Sequence, residues 1–135
     1  QAAAPFDVHA ATDITGFGFA GHAFEMARGA NLCFRFQLTA IPIHAGVQAA
    51  YGEGVSTGAN KDNRAFVDPW LSLPAGAATW QQELLFDPQT SGGLLLAVPG
   101  AQAPALLDAL HEAGDTVSAL VGQVEPFSGK HLVFE

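Results

Sequence analysis

Asp13 stands in the run Thr12-Asp13-Ile14-Thr15-Gly16-Phe17-Gly18, one carboxylate and two hydroxyls set directly ahead of three glycines, Gly16, Gly18 and Gly21. From its neighbours the acid looks buried. Glycine lets another group approach the backbone closely, at a cost of about 0.5–1 kcal/mol within a helix. The helix that begins next would present unpaired N–H groups, a seat for an anion. A carboxylate repels an anion unless a hard cation bridges the two, as Mg2+ does between carboxylate and phosphate oxygens. One reading of Asp13 is therefore a metal ligand beside a phosphate chain. The other is a plain helix N-cap, with the glycines serving helix packing. Spacing alone leaves both open. The GxGxxG match in residues 16–21 is a weak dinucleotide signature, because no long strand precedes it and no acid lies at the ribose-binding offset.

A second polar loop lies in residues 84–98, LLFDPQTSGGLLLAV. Asp87-Pro88 starts a turn, Gln89, Thr90 and Ser91 offer an amide and two hydroxyls, and Gly92-Gly93 admit a tight bend before an apolar strand. Such a loop suits contact with a polar ligand, or a turn whose side chains satisfy their own backbone. His22 and Glu25 fall three apart on one helix face, with His9 near in sequence. Zinc needs three or four ligands and the lone Cys33 adds no pair, so His22 reads as a hydrogen-bonded packing residue. No Ser-His-Asp or Cys-His arrangement follows from spacing, and no catalytic residue is assigned.

The elements that must position these groups fit one domain, residues 1–135. Residues 8–14 read as a short strand and 17–28 as a helix, with Phe17, Ala20, Phe24 and Ala27 at helical spacing and Gly29 as its stop. LCFRFQL alternates like a strand, 43–51 reads as a modest helix, and 55–78 as an irregular segment with a short ordered piece at NRAFV. A helix over 79–86, a strand at LLLAV, a helix over 101–113 and strands at TVSALVGQV and HLVFE complete the chain. The mixture lacks a βαβ rhythm and implies an α+β fold, a mixed or antiparallel sheet flanked by helices.

Hydrophobic residues make up 49 % and charged residues 13 %, which is low in charge for a free-standing domain and points to a face covered by another domain or subunit. A net charge of −8 argues against a nucleic-acid partner. With one cysteine there is no internal disulfide; Cys33 reads as a small buried hydrophobe in a cytoplasmic protein. No apolar run approaches the ~20 residues of a membrane span, and QAAAPFDVHAA lacks the basic start of a signal peptide.

Taken together, HAATDITGFGFAGHAFEMA (residues 9–27) resembles the TDVTGFGLLGHLLEMA signature of the selenophosphate synthetase (selenide, water dikinase) family, and LLFDPQTSGGLLLAV is similar nearly letter for letter to that family's second signature. The likeness runs on through LVGQV, to about residue 124. It implies the C-terminal domain of such a protein, within the AIR synthetase-related superfamily and with an AIR synthetase C-terminal domain-like fold. The family's N-terminal ATP-binding domain, with its catalytic Lys and its Cys or selenocysteine in a glycine-rich arm, would be the partner, in a homodimer of the full-length protein. The resemblance further implies ATP and selenide as substrates, Mg2+ as cofactor, and selenophosphate, AMP and phosphate as products. On it Asp13 is the metal ligand, Thr12, Thr15, Gly16 and Gly18 are neighbours of the nucleotide, and Asp87, Gln89, Thr90, Ser91, Gly92 and Gly93 shape either the site or only the fold. Residues 1–135 alone are expected to be inactive. One departure stands out: Asn63 aligns with the last residue of a family Gly-Gly-Thr-x-x-Asn stretch, but Thr57-Gly58-Ala59 is read in place of Gly-Gly-Thr. That favours a rival reading, a non-catalytic nucleotide-binding or assembly module.

Overall fold

The computed structural model describes residues Gln1–Glu135. The strands divide between two sheets. The smaller is an antiparallel ribbon of β1 (Ala10–Asp13) and β4 (Leu94–Ala97), with Asp13 opposite Leu94. The larger has the order β3-β6-β2-β5. In it β2 (Leu32–Phe36) runs antiparallel to β5 (Gly122–Pro126) and parallel to β6 (Leu132–Phe134), and β6 runs parallel to β3 (Leu71–Ser72). The α+β class expected from the sequence is the one observed, distributed over two sheets rather than one.

Helix α1 (Gly18–Ala30) lies against the larger sheet. Its buried face is Ala20, Ala23, Phe24 and Ala27, at the three- and four-residue spacing that makes one stripe. Ala23 takes the place expected for Phe17, which sits ahead of the helix and is 48 % exposed. Three alanines bring the backbone close to the sheet, and Phe24 fills the remaining depth among Phe66, Trp70 and His131, with ring centroids 5.3, 6.4 and 5.8 Å away. The helix passes the expected stop at Gly29; Asn31 takes the left-handed position (φ 54°) and its N–H closes on the carbonyls of Ala27 and Arg28.

Helices α2 (Val47–Gly52) and α4 (Thr79–Leu84) are shorter than expected, and α5 (Ala103–Glu112) falls within its expected range. Two expectations need correction. Residues 55–78 hold more order than the short piece expected at NRAFV: they contain α3 (Ala59–Val67), a 3-10 turn (Asp68–Trp70) and β3. The buried face of α3 is Asn60, Asn63 and Val67, so its helical periodicity is written in amides, which a search for apolar spacing passes over. The strand expected from residue 116 begins only at Gly122; Val117 and Leu120 before it are exposed (72 % and 61 %) and face no partner strand. A core of buried residues joins the ribbon, α1 and the larger sheet through Ile14, Leu95, Phe86, Phe34, Phe36, Leu132 and Phe134.

Candidate functional site

The two polar loops, about seventy residues apart in sequence, are stitched together. Ile14 N–H donates to the Gly93 carbonyl (2.9 Å), Gln89 N–H to Thr15 (3.0 Å) and Ala20 N–H to Leu85 (2.8 Å). Gly18 has φ +69°, and a Cβ there would lie 2.8 Å from the Phe86 carbonyl carbon and 3.0 Å from the Leu85 and Asp87 carbonyl oxygens. Only glycine fits that approach. Gly92 is held as tightly: a Cβ would overlap the Ile14 carbonyl oxygen. Gly16, by contrast, faces open space and has no left-handed φ, so neither reason for a glycine applies at that position.

Asn63 clamps the same joint from α3. Its buried amide donates to the carbonyls of Gly16 (2.9 Å) and Phe86 (2.9 Å), one from each loop. Asn60 ties α3 to its surroundings in turn: its amide donates to the Glu83 carbonyl (3.1 Å) and the Tyr51 hydroxyl (3.2 Å), and its oxygen accepts from Thr57 (2.6 Å). Burial pushes the Tyr51 hydroxyl up to about 12, against the Asn60 donor and with neighbouring Asp87 adding to the rise. Counting back from Asn63 sets Gly58-Ala59-Asn60, not Thr57-Gly58-Ala59, opposite Gly-Gly-Thr. The departure is therefore at Ala59 and Asn60, and Asn60 is a buried structural amide.

Asp13 ends β1 and is exposed, not buried. Its carboxylate makes no hydrogen bond or ion pair within the chain; only its main-chain oxygen is engaged, by Thr12 Oγ1 at 3.2 Å. Nor does it cap α1, whose N-cap is Phe17 with no side-chain bond. Thr15 does not cap it either. Its hydroxyl meets His22 Nε2 at 2.9 Å, and His22 Nδ1 lies 3.3 Å from Glu25 Oε2. Thr15, Gly16, Phe17 and His22 line an open cleft of about 170 Å³. His22 is hydrogen-bonded and packed, as expected, and lines the cleft as well; its partner Thr15 lies outside α1, beyond the glycine turn, so helical spacing does not reveal the pair. In the second loop Thr90 and Ser91 are exposed, and the loop is tied by main-chain bonds at Gln89 and Gly93 rather than by its own hydroxyls.

No group of three or more His, Cys, Asp or Glu side chains converges to hold a metal ion. A single partnerless carboxylate still suits Mg2+, which keeps several waters and takes one or two carboxylates plus substrate phosphates. No helix is long and apolar enough to cross a membrane.

A family model, AIR synthase related protein, C-terminal domain, matches residues 1–133. Among curated proteins the chain is similar to the selenide, water dikinase of Rhizobium meliloti (strain 1021), 43 % identical over 120 residues, which is 89 % of this chain and 34 % of that protein. It is also similar to that of Pseudomonas straminea, 39 % identical over 126 residues, 93 % of this chain and 35 % of the relative. The chain thus spans about a third of the length of the curated relatives it matches. Among solved structures, hydrogenase maturation protein HypE in complex with ATP superposes with a TM-score of 0.56 at 21 % identity, covering 89 % of this chain and 28 % of the other. That likeness speaks to the fold alone.

Proposed function

The chain belongs to the AIR synthase related protein, C-terminal domain family, and from that premise we propose that it is the phosphate- and Mg2+-facing part of a selenide, water dikinase, which makes selenophosphate from selenide and ATP and releases AMP and phosphate. The observation that carries the proposal is the Asp13 carboxylate, exposed and without an intramolecular partner, two residues from the cleft-lining Thr15. An exposed acid with no partner in the chain is free to take a cation, and the surplus negative charge of the chain favours one there.

Asp13 would hold Mg2+ together with substrate phosphates and with ligands from outside these residues. When bound, the ion offsets the negative charge of the transferring phosphoryl groups. The joint keeps the residues around Asp13 in place: Gly18 and Gly92 let the two loops touch, and Asn63 locks them, so the carboxylate is presented on a fixed frame. Thr12, Gly16 and Gly18 border the nucleotide as main-chain neighbours on this reading. A companion ATP-binding domain of the same parent would close the cleft, in a cytoplasmic homodimer. Exposed Phe17, Phe66 and Trp70, linked through Phe24, support the need for such a cover.

The test is Asp13→Asn in the full-length protein, read by selenide-dependent AMP release. A loss on the order of 100-fold is expected from removing a charge that acts on the transition state. Near-normal turnover would reduce Asp13 to a surface acid. Residues 1–135 alone are expected to release no AMP with ATP, Mg2+ and selenide. Turnover by the intact full-length protein distinguishes the enzyme from a non-catalytic assembly module.

A further inference from the structure

We propose that Glu25, His22 and Thr15 form a positioning relay that fixes the Thr15 hydroxyl as a hydrogen-bond acceptor toward the cleft, so that its partner there is a metal-bound water rather than a phosphate oxygen. The identity of that partner rests on the Mg2+ reading above; the relay itself does not.

Donors and acceptors along the three side chains set which way each proton points. Glu25, ionised, can only accept, and its Oε2 lies 3.3 Å from His22 Nδ1. The contact lacks the alignment of a hydrogen bond, but the negative charge beside Nδ1 favours the imidazole tautomer with the proton on that nitrogen. In the neutral ring Nε2 is then bare and can only accept. Thr15 Oγ1 lies 2.9 Å from that nitrogen, and two acceptors do not sit at this distance without a proton between them, so Thr15 donates. A hydroxyl has one proton, and this one is committed to His22. What Thr15 presents to the cleft is lone pairs alone.

The surroundings hold this arrangement still. The His22 side chain is only 12 % exposed, and the Phe17 ring lies over it with centroids 5.5 Å apart. The Thr15 carbonyl accepts from both Gly18 and Gln89, which pins the backbone that aims the hydroxyl. Thr15, Gly16, Phe17 and His22 line the cleft, so Thr15 stands at the wall of a space a ligand can enter. A phosphate oxygen, itself an acceptor, finds no donor in the Thr15 lone pairs. A water on a divalent ion is a strong donor, because the metal polarises its O–H bonds. His22 thus acts through Thr15.

The experiment has two arms on the full-length protein. In the first, imidazole 15N NMR reads the His22 tautomer with no metal present, His22→Gln identifying the resonance, at about pH 8 where a neutral ring is ordinary. A proton on Nδ1 with bare Nε2 is expected; a proton on Nε2 overturns the relay. In the second, Mn2+ binding followed by electron paramagnetic resonance, with a non-hydrolysable ATP analogue, reads metal half-saturation. Thr15→Val and His22→Ala should each raise it ~3- to 10-fold, the scale of one lost hydrogen bond. Thr15→Ser should restore it, and analogue affinity at saturating Mn2+ should change less than about twofold on the same scale. If Thr15→Val weakens the analogue at saturating Mn2+ and leaves metal half-saturation unchanged, Thr15 serves phosphate and the proposal is overturned. An Asp13→Asn variant with unaltered Mn2+ binding would remove the Mg2+ reading, and with it the metal-bound water, while the tautomer arm continues to decide the relay.

Discussion

Where residues 14–18 meet residues 85–93, the chain is held by main-chain hydrogen bonds and the Asn63 amide, with no room for a methyl group at Gly18 or Gly92. Behind α1, the larger sheet is held by rings: Phe36 packs against Phe19, Phe134 and Phe34 with centroids 4.9, 5.3 and 6.1 Å away. The two regions should therefore fail in opposite ways. The sheet loses stability when atoms are removed, because a cavity forfeits burial and contacts together. The joint loses it when atoms are added, because main chain lies where the new carbon would go. A site that must hold a carboxylate in register with a second domain gains from the second kind of rigidity, which leaves nothing to repack.

The largest effect should come from the sheet. Phe36→Ala is expected to cost about 4 kcal/mol, read from the urea midpoint, while the geometry of the joint persists; a loss below about 1 kcal/mol would mean the rings are not the main support of the sheet. Next is Gly18→Ala, one methyl, at about 3 kcal/mol from left-handed strain plus collision with the Phe86 carbonyl. Gly16→Ala is the control, expected to be near neutral because its surroundings are open. Equal effects at the two glycines would break the contrast. Asn63→Ala should follow at about 2 kcal/mol, since it leaves the Gly16 and Phe86 carbonyls without their donor.

The smallest effect is one of pH. Burial raises the Tyr51 hydroxyl to about 12, despite the Asn60 donor and with Asp87 beside it, and burial raises the Cys33 thiol against the pull of Arg35. Unfolding returns these groups to about 10 and about 8.5. The unfolded chain then binds fewer protons, so stability is level below about pH 8 and falls as pH climbs through 8.5 toward 12. Denaturant midpoints between about pH 7 and pH 11 should trace this decline, and Tyr51→Phe should remove its upper part. A midpoint that rises over the interval contradicts the burial of both groups.

Much of this frame was legible in the residues. Apolar spacing gave α1 and α5, alternation gave β2, and the two glycine-bearing signatures carried the likeness to a family. What escaped was what depends on contacts between distant segments. Helix α3 was hidden because its inward face is Asn60, Asn63 and Val67, whose amides are useful only once Gly16, Glu83 and Phe86 are in reach. The parallel placement of β6 between β3 and β2 has no local signature at all. At the site, Asp13 looks buried in the sequence, yet it ends a strand whose outer side is open. The Thr15–His22 pair crosses a turn with no period, so neither residue announced the other.

The last strand occupies an inner place. β6 lies between β3 and β2, so a ribosome must deliver residue 134 before either neighbour has its partner on that side. Until then that edge of β2, at Phe34 and Phe36, stays unpaired on a nascent chain, in a topology dominated by distant pairings and so slow to close. During that interval chaperone capture and aggregation compete with folding, and the interval runs from residue 36 to residue 134, about three-quarters of the translation of these residues.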